Sequence, residues 1–370
     1  MNVFLAHEDS LKLLRHARRD KSLSLVAAPV SCADPELLHI EAGPLLRALP
    51  HGLFRPSRLR PLSVRSLDSA RRSQCSVVRA SPNLAALPPG AYLEVVRADG
   101  GALLADEPGP VRVFVESGGL ALLSGARALG RAVRLERMTP RAALIRLVAF
   151  GMELCGSYGR DPGMPSAGEV LYDLPPVCMA SELGELVDQL AGMHGAPLAR
   201  RAAGYVNDGS GSAMETFWYL AFCLPPSLGG ASFERPLQNV TLEWPPGVRA
   251  RACHDRLTPD FHWPRYRSVG EYDSELHKSE DAFYEDRDRA KDYGLCDLAY
   301  FPITDLDAQS PESMKRLLGQ LGARFARYEG PSFARRLEQT MADSEVDSAR
   351  EVLRSVLLPP QARWRDDRFA

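Results

Sequence analysis

Residues 258–289, TPDFHWPRYRSVGEYDSELHKSEDAFYEDRDR, constrain the fold more than any other part of this chain. A Trp-Pro turn separates Asp260 from Glu271 and Asp273, which predicts two strands joined by that turn. Residues two apart on a strand share a face, so Glu271 and Asp273 are predicted to point the same way. If residues 248–261 and 266–273 form a hairpin around the turn, Asp260 lies beside them.

Carboxylates that converge at strand ends offer the hard oxygen ligands that Mg²⁺ or Mn²⁺ prefers. We expect Asp260, Glu271 and Asp273 to hold such an ion. A divalent cation neutralises the non-bridging oxygens of a phosphodiester and lowers the pKa of an attacking water. These residue types therefore indicate a metal-dependent phosphodiesterase site.

The helix and strand patterns predict an α/β protein. A compact run of turn residues, NDGSGS at 207–212, marks a domain boundary. Residues 1–206 are predicted to be an α+β region, 207–330 an α-β-β-β-α-β-α domain with a mixed central sheet, and 331–370 a helical tail. Strands are expected near 111–117, 238–242, 248–254, 259–263, 266–273 and 295–302, and helices at 8–19, 118–129, 140–150, 181–192, 197–206, 212–224, 279–293 and 310–325.

Three segments carry a resemblance to a known family. They are SAMET (212–216), PDFHWPRYRSVGEYDSELH (259–277) and DRDRAKDYGLCDLAYFPITDL (286–306). They resemble the very-short-patch-repair endonuclease branch of the PD-(D/E)XK superfamily, and more narrowly an uncharacterised bacterial domain family on that branch. The resemblance spans residues 212–325 and implies a restriction-endonuclease-like fold that cleaves DNA with Mg²⁺. Upstream, the run from VFVESGGLALLSGARAL through LIRLVAFGMELCGSYGRDP resembles proteins related to abortive-infection type IV antitoxins.

Carried over by position, the resemblance implies roles for five residues. Glu215 matches the glutamate of the first helix, and Asp260 matches the central metal-binding aspartate. Glu271 matches the acid of the third strand, with Asp273 as its partner, and His277 matches the histidine that assists proton transfer. The lysine usual in the superfamily is replaced by Asp273. The very-short-patch branch also lacks that lysine.

Several of these residues have a second interpretation. Glu215 follows Ser212 by three positions, which is the spacing of a helix capping box. Arg287 and Arg289 can contact phosphate as planar donors, or pair with the acidic residues between them on a solvated helix face. His277 has the pKa range suited to proton transfer, but taken alone it is also typical of a surface histidine.

Charge is distributed unevenly along the chain. Residues 1–150 contain 21 Lys and Arg against 13 Asp and Glu, a net charge of +8, and 19 of the 21 are arginine. Residues 212–325 contain 13 against 18, a net charge of −5. This asymmetry predicts a nucleic-acid-binding region beside a metal site. Arginine-rich codon usage explains the same composition equally well.

Other function classes are disfavoured by the sequence. No apolar run reaches the roughly 20 residues of a membrane span, and charges interrupt the first apolar residues too early for a secretory signal. We expect a cytoplasmic protein without membrane contact. The seven cysteines are scattered without a C-x-x-C pair, which argues against a disulfide framework and a structural zinc site. Walker A, G-x-G-x-x-G, H-E-x-x-H and G-x-S-x-G patterns are absent.

Two functions of different class remain open. The first is a metal-dependent endonuclease that hydrolyses DNA, in phage defence or DNA repair, with RNA as another candidate substrate. The second is a non-catalytic regulator of the toxin–antitoxin or abortive-infection kind, in which a nuclease fold contacts DNA or protein. The missing lysine and the acidic balance of residues 212–325 favour the second.

Overall fold

The computed structural model describes residues 2–27, 49, 53–54, 62–65, 78–81, 87–106, 109–165, 168–273 and 280–358. The chain divides into two compact units, Met1–Val206 and Asn207–Ala370, and the boundary lies where NDGSGS begins. Each unit combines helices with a sheet of mixed strand direction, so the protein belongs to the α/β class. Among the described helices, none is long and apolar enough to cross a membrane.

The first unit begins with strands and continues with helices. Its described strands are β1 (Asn2–Phe4), β2 (Leu23–Ala27), β3 (Leu62–Arg65), β4 (Val78–Ser81), β5 (Tyr92–Arg97), β6 (Leu104–Asp106) and β7 (Gly109–Glu116). Its described helices are α1 (His7–Arg19), α2 (Gly118–Arg134), α3 (Pro140–Cys155), α4 (Ala180–Gln189) and α5 (Ala196–Ala203). The main sheet has the order β1-β7-β5-β2, in which β1 runs parallel to β7 and the other pairs are antiparallel.

A buried ion pair lies where α1 meets α3. Arg15 donates from Nε and Nη2 to the two carboxylate oxygens of Glu153, both at 2.8 Å. Arg18 donates to the backbone carbonyls of Glu153, Gly156 and Pro175. Burial acts to raise the pKa of Glu153, but the charge and hydrogen bonds of Arg15 outweigh it, so the pKa is lowered. The pair ties α1 to the end of α3.

The second unit contains the predicted site. Its described strands are β8 (Leu237–Gln238), β9 (Leu242–Glu243), β10 (Arg256–Leu257), β11 (Phe261–Trp263), β12 (Ser268–Asp273) and β13 (Ala299–Thr304). Its described helices are α6 (Ala213–Cys223), α7 (Pro246–Arg249), α8 (Glu280–Leu295), α9 (Pro311–Glu329), α10 (Pro331–Ala342) and α11 (Ser344–Leu357).

The central sheet of this unit has the order β13-β12-β11-β8. β12 runs parallel to β13, whereas β11 is antiparallel to both β12 and β8. On one face, Phe261 and Trp263 pack against Phe222 of α6. Because side chains alternate along a strand, Val269 lies on the other face, where it packs in a core with Tyr293 of α8. Two helices therefore cover opposite faces of one sheet.

Several boundaries predicted from the sequence are correct. The strand at 111–117 and the helix at 8–19 match β7 and α1 closely. Helix α9 starts as predicted, with Ser310 accepting from the N–H of Ser313 and a proline at the first position. Helix α3 also starts as predicted with Pro140, and extends to Cys155.

Other predicted elements are wrong. Residues 248–254 are not a strand, because the prolines at 245 and 246 start the short helix α7. The antiparallel ribbon at this point joins β9 to β10 instead. The helix predicted at 181–192 is present as α4, but Met179 and not Ser181 precedes its first turn, and the N–H of Met179 donates to Glu182 at 2.9 Å. Gly294 does not end α8, since the left-handed turn falls at Asp297, with φ 57°.

The buried pair gives a first testable prediction. Glu153→Ala leaves Arg15 charged and buried without its partner, so we expect the free energy of unfolding to fall by about 3–5 kcal/mol. Calorimetry on the full chain measures the loss as a lower melting temperature. The control is Asp188→Ala, which removes the exposed pair with Arg200 and should cost at most about 1 kcal/mol. Equal shifts for the two variants contradict the prediction.

Candidate functional site

The pairing of β11 with β12 brings two of the predicted acids together. Phe261 pairs with Gly270 and His262 with Val269. Continuing this antiparallel register by one residue places Asp260 opposite Glu271, on the same face of the sheet. The N–H of Tyr272 donates to Oδ2 of Asp260 at 2.6 Å and holds the aspartate in place.

Glu215 reaches the same place from the first turn of α6. Its N–H donates to Oγ of Ser212 at 3.0 Å, as the capping interpretation expects. Its carboxylate, however, accepts from the N–H of Gly211 at 2.7 Å and from Nδ2 of Asn239 at 2.6 Å. Glu215 is buried. Its side chain is therefore held towards β8 and Asp260, and the helix cap accounts for only part of its contacts.

Asn239, which is not among the residues predicted from the sequence, connects these acids. Its N–H donates to the carbonyl of Asp260 at 3.3 Å, while Nδ2 binds both Glu215 and the carbonyl of Gly209, the latter at 2.8 Å. Its φ of 52° lies in the left-handed region, which asparagine tolerates better than most residues. An asparagine immediately after a strand was the available sequence signal.

Burial and mutual repulsion perturb these carboxylates. Burial, followed by the charges of Glu215 and Glu271, raises the pKa of Asp260 from 3.8 to about 7, against the lowering effects of the Tyr272 N–H and Arg289. Burial also raises the pKa of Glu215, despite its hydrogen bonds from Gly211 and Asn239. Strongly shifted acids gathered in one place are a frequent sign of a functional site.

Glu271 is already engaged by helix α8. Arg289 lies 2.7 Å from Oε2 of Glu271, and the hydroxyl of Tyr293 donates to Oε1. Burial raises the pKa of Glu271, and the nearby Arg289 and Tyr293 oppose that rise. Arg289 thus reaches from α8 to the sheet. Arg287 is exposed and makes no ion pair or hydrogen bond with another described residue.

The remaining predicted residues lie at or beyond the end of β12. Asp273 pairs in register with Thr304 of β13 and is half-buried, further along the strand face that carries Glu271. Its charge acts on Tyr300, whose pKa is raised, first of all by burial. His277 falls in the segment 274–279, which lies outside the described residues.

His262 is a further polar side chain on this face that the sequence analysis did not single out. It follows Asp260 by two positions on the strand, so the two side chains point the same way. Its Nδ1 is buried, with no hydrogen-bond partner among the described residues. Burial lowers the pKa of His262, which favours the neutral imidazole. The alternation of Asp and His in D-F-H was the available signal.

Carboxylate oxygens suit a hard divalent cation, but the described residues do not supply a complete set of protein ligands. Within the ranges that the structure describes, no group of three or more His, Cys, Asp or Glu side chains is arranged to hold a metal ion. Mg²⁺ commonly uses only one or two carboxylates, and completes its shell with water and substrate phosphate. Asp260 with either Glu271 or Glu215 fits that requirement.

Comparisons with protein-family models, with curated proteins and with solved structures found no match for this chain. The geometry of the second unit is therefore the basis for any functional assignment.

The raised pKa of Asp260 predicts a pH-dependent stability. A carboxyl group whose pKa is higher in the folded state stabilises the fold fully below pH 3.8, and this contribution is lost as the pH rises through about 7. Asp260→Asn carries no charge, so in EDTA it should melt at a higher temperature than the parent at pH 8. The difference should shrink towards pH 4.

Thermal melts of both proteins across that pH range test this expectation. The control is Glu243→Gln, which neutralises an exposed glutamate of β9 and should behave like the parent at every pH. A melting temperature for Asp260→Asn that follows the parent at every pH contradicts a raised pKa at this position.

Proposed function

We propose that the second unit is a metal-dependent nuclease that hydrolyses phosphodiester bonds, with DNA as its substrate. The supporting observation is the position of Asp260, which lies between Glu215 and Glu271 with its pKa raised to about 7. Withdrawing three acids from water together is unfavourable, because each charge is both desolvated and repelled. A divalent cation relieves both costs.

Asp260 is the residue best placed to bind the ion. Its Oδ2 accepts the N–H of Tyr272, and Oδ1 makes no hydrogen bond to another described residue. The second carboxylate comes from Glu215, or from Glu271 if the ion displaces Arg289 or Tyr293 from one of its oxygens. A bound Mg²⁺ neutralises phosphate charge and lowers the pKa of a bound water. Asn239 fixes the carboxylate of Glu215 relative to the backbone of Asp260.

Proton transfer at neutral pH needs a group whose pKa lies near 7. His277, the histidine implied by the family resemblance, keeps its proposed role of protonating the leaving oxygen or accepting a proton from water. Arg289 offers a fixed positive charge beside Glu271. We propose that Arg289 substitutes for the missing lysine by balancing negative charge, while the exposed Arg287 contacts the phosphate backbone.

The fold of the second unit supports a restriction-endonuclease-like assignment. Helix α6 precedes an antiparallel hairpin of β11 and β12, and α8 then crosses to β13, which pairs parallel to β12. With β8 as the first strand, the helices and the strands of the central sheet follow the α-β-β-β-α-β order that the resemblance implies, and β9, α7 and β10 are inserted between β8 and β11. The acids lie on the hairpin and at the start of the preceding helix.

A second function is favoured by one specific contact. Both oxygens of Glu271 are already bound, one by Arg289 and one by Tyr293. A glutamate neutralised in this way does not need a cation, and the lysine of the superfamily is missing. These facts support a non-catalytic regulator of the toxin–antitoxin or abortive-infection kind, in which the nuclease fold contacts DNA or protein.

Cleavage assays separate the two functions. With Mg²⁺ or Mn²⁺, the parent should nick supercoiled plasmid DNA, and Asp260→Asn should be slower by more than about 100-fold, since loss of even an outer-shell partner of a metal commonly costs 10–100-fold. Glu243→Gln is the matched control and should cleave like the parent. Labelled RNA under the same conditions tests the other substrate.

Metal binding gives a readout that does not depend on turnover. Titration calorimetry with Mn²⁺ should show binding by the parent and much weaker binding by Asp260→Asn. If the parent binds no Mn²⁺ and leaves both polymers intact, yet still binds DNA in EDTA, the regulator is the better assignment.

A further inference from the structure

The hairpin of α2 and α3, in the first unit, has an unusual charge pattern. Residues 118–155 contain six arginines, no lysine and two acidic residues, Glu136 and Glu153, of which Glu153 is paired with Arg15. Four of these arginines cluster around the turn between the helices. We call this set the hairpin tip; it consists of Arg131, Arg134, Arg137 and Arg141.

Backbone hydrogen bonds define the tip as an ordered turn. The N–H of Arg137 donates to the carbonyl of Ala132, and the N–H of Glu136 donates to that of Val133, both at 3.0 Å. Glu136 has a left-handed φ of 56°. This pattern is a Schellman motif, which closes a helix C-terminus. Helix α3 begins at residue 140, so all four arginines lie at the same end of the hairpin.

The charges of the tip are not neutralised within the described parts of the chain. Arg131, Arg134 and Arg137 are exposed and Arg141 is half-buried. None of the four makes an ion pair or hydrogen bond with another described residue. Other arginines of the same unit do: Arg15 pairs with Glu153, and Arg112 pairs with Glu94.

Part of this arrangement is electrostatically unfavourable. Arg131 and Arg134 lie in the last turn of α2, where the helix dipole favours cations, but Arg141 does not. The N-terminus of a helix carries a partial positive charge and favours acidic side chains. The first turn of α3 has no acidic residue and instead holds Arg141. Like charges on the neighbouring turn add repulsion. An anion bound at the tip would relieve this repulsion and would offset the charge of Arg141 at the start of α3.

We propose that the hairpin tip binds the sugar-phosphate backbone of a nucleic acid. Arginine presents planar pairs of donors that match phosphate oxygens, and the set contains no lysine. Arg131 and Arg134 lie one turn apart on a helix and Arg141 lies on the next helix, so the charges suit several successive phosphates. The choice of nucleic acid among polyanions rests on the nuclease function proposed for the second unit.

An anionic membrane is the competing partner for such a surface. Leu135 is 49% exposed at the tip, but the neighbouring turns of α2 and α3 add no other large hydrophobic side chain with that exposure among the described residues. Helices that bind membranes in this way usually present a broad apolar face. One exposed leucine does not provide that face, and we therefore assign the tip to phosphodiesters.

Equilibrium binding tests the assignment. The full chain is titrated in EDTA against fluorescent 20-base-pair DNA and single-stranded RNA of matched length, at several salt concentrations. The quadruple variant R131Q/R134Q/R137Q/R141Q should bind at least tenfold more weakly. Its slope of log K against log salt should be shallower by about 0.9 for each duplex phosphate that the variant no longer neutralises, or roughly 3–4 in all.

The chain offers a matched control. R316Q/R327Q/R335Q/R336Q also removes four exposed arginines that have no partner among the described residues, on α9 and α10, and should bind like the parent. Thermal melts check that both variants remain folded at the temperature of the binding assay. EDTA prevents cleavage, so loss of nuclease activity in the second unit leaves this experiment unaffected.

Each outcome supports or overturns the proposal. Whichever of DNA and RNA the parent binds more tightly is the polymer that the tip recognises. The proposal is supported if the tip variant binds that polymer at least tenfold more weakly than the parent does. Parent-like affinity and salt slope in the tip variant overturn it. The same variants are also tested with vesicles containing phosphatidylserine. If the tip variant loses binding to the vesicles and not to either polymer, the tip is a membrane contact and the proposal is wrong.

Discussion

The site in the second unit depends on the antiparallel register between β11 and β12. Because Phe261 pairs with Gly270, Asp260 lies opposite Glu271 and both side chains share a face. A slip of one residue would send one acid to the opposite face, where Phe222 packs against Phe261 and Trp263. That aromatic packing specifies the register. The core and the site are thus two consequences of one strand pairing.

Helix α8 has a double role in this arrangement. Tyr293 packs in the core with Val269, and the same residue donates its hydroxyl to Glu271. One turn earlier, Arg289 forms an ion pair with that glutamate. His254 also contacts this helix: its ring nitrogens lie 2.8 Å from Asp292 and 2.9 Å from Glu285. Arg289 is therefore held beside the acids by the packing of α8 as well as by its attraction to Glu271.

Short-range patterns predicted part of this structure. The alternation around Gly270 indicated a strand, and the Trp-Pro pair indicated the turn that brings Asp260 back to Glu271. The strand predicted at 248–254 failed for two reasons. The prolines at 245 and 246 are a local helix-start signal that was not used, and the pairing of β9 with β10 is a longer-range contact. His262 was missed although the local Asp-Phe-His alternation marks it. Asn239 was missed because its partners Gly209 and Glu215 lie far along the chain. The pairing of Arg289 with Glu271 was missed for the same reason.

The three acids come from well-separated points of the polypeptide, since Glu215 precedes Asp260 by 45 residues and Glu271 by 56. During synthesis, Glu215 emerges from the ribosome long before its partners, and its carboxylate remains hydrated until a large loop closes. Closing such loops costs chain entropy and is slow compared with forming a helix. The positive charge of Arg289, which offsets the repulsion at Glu271, becomes available only after α8 has been synthesised. A nascent chain that stops earlier has the acids without the cation that balances them.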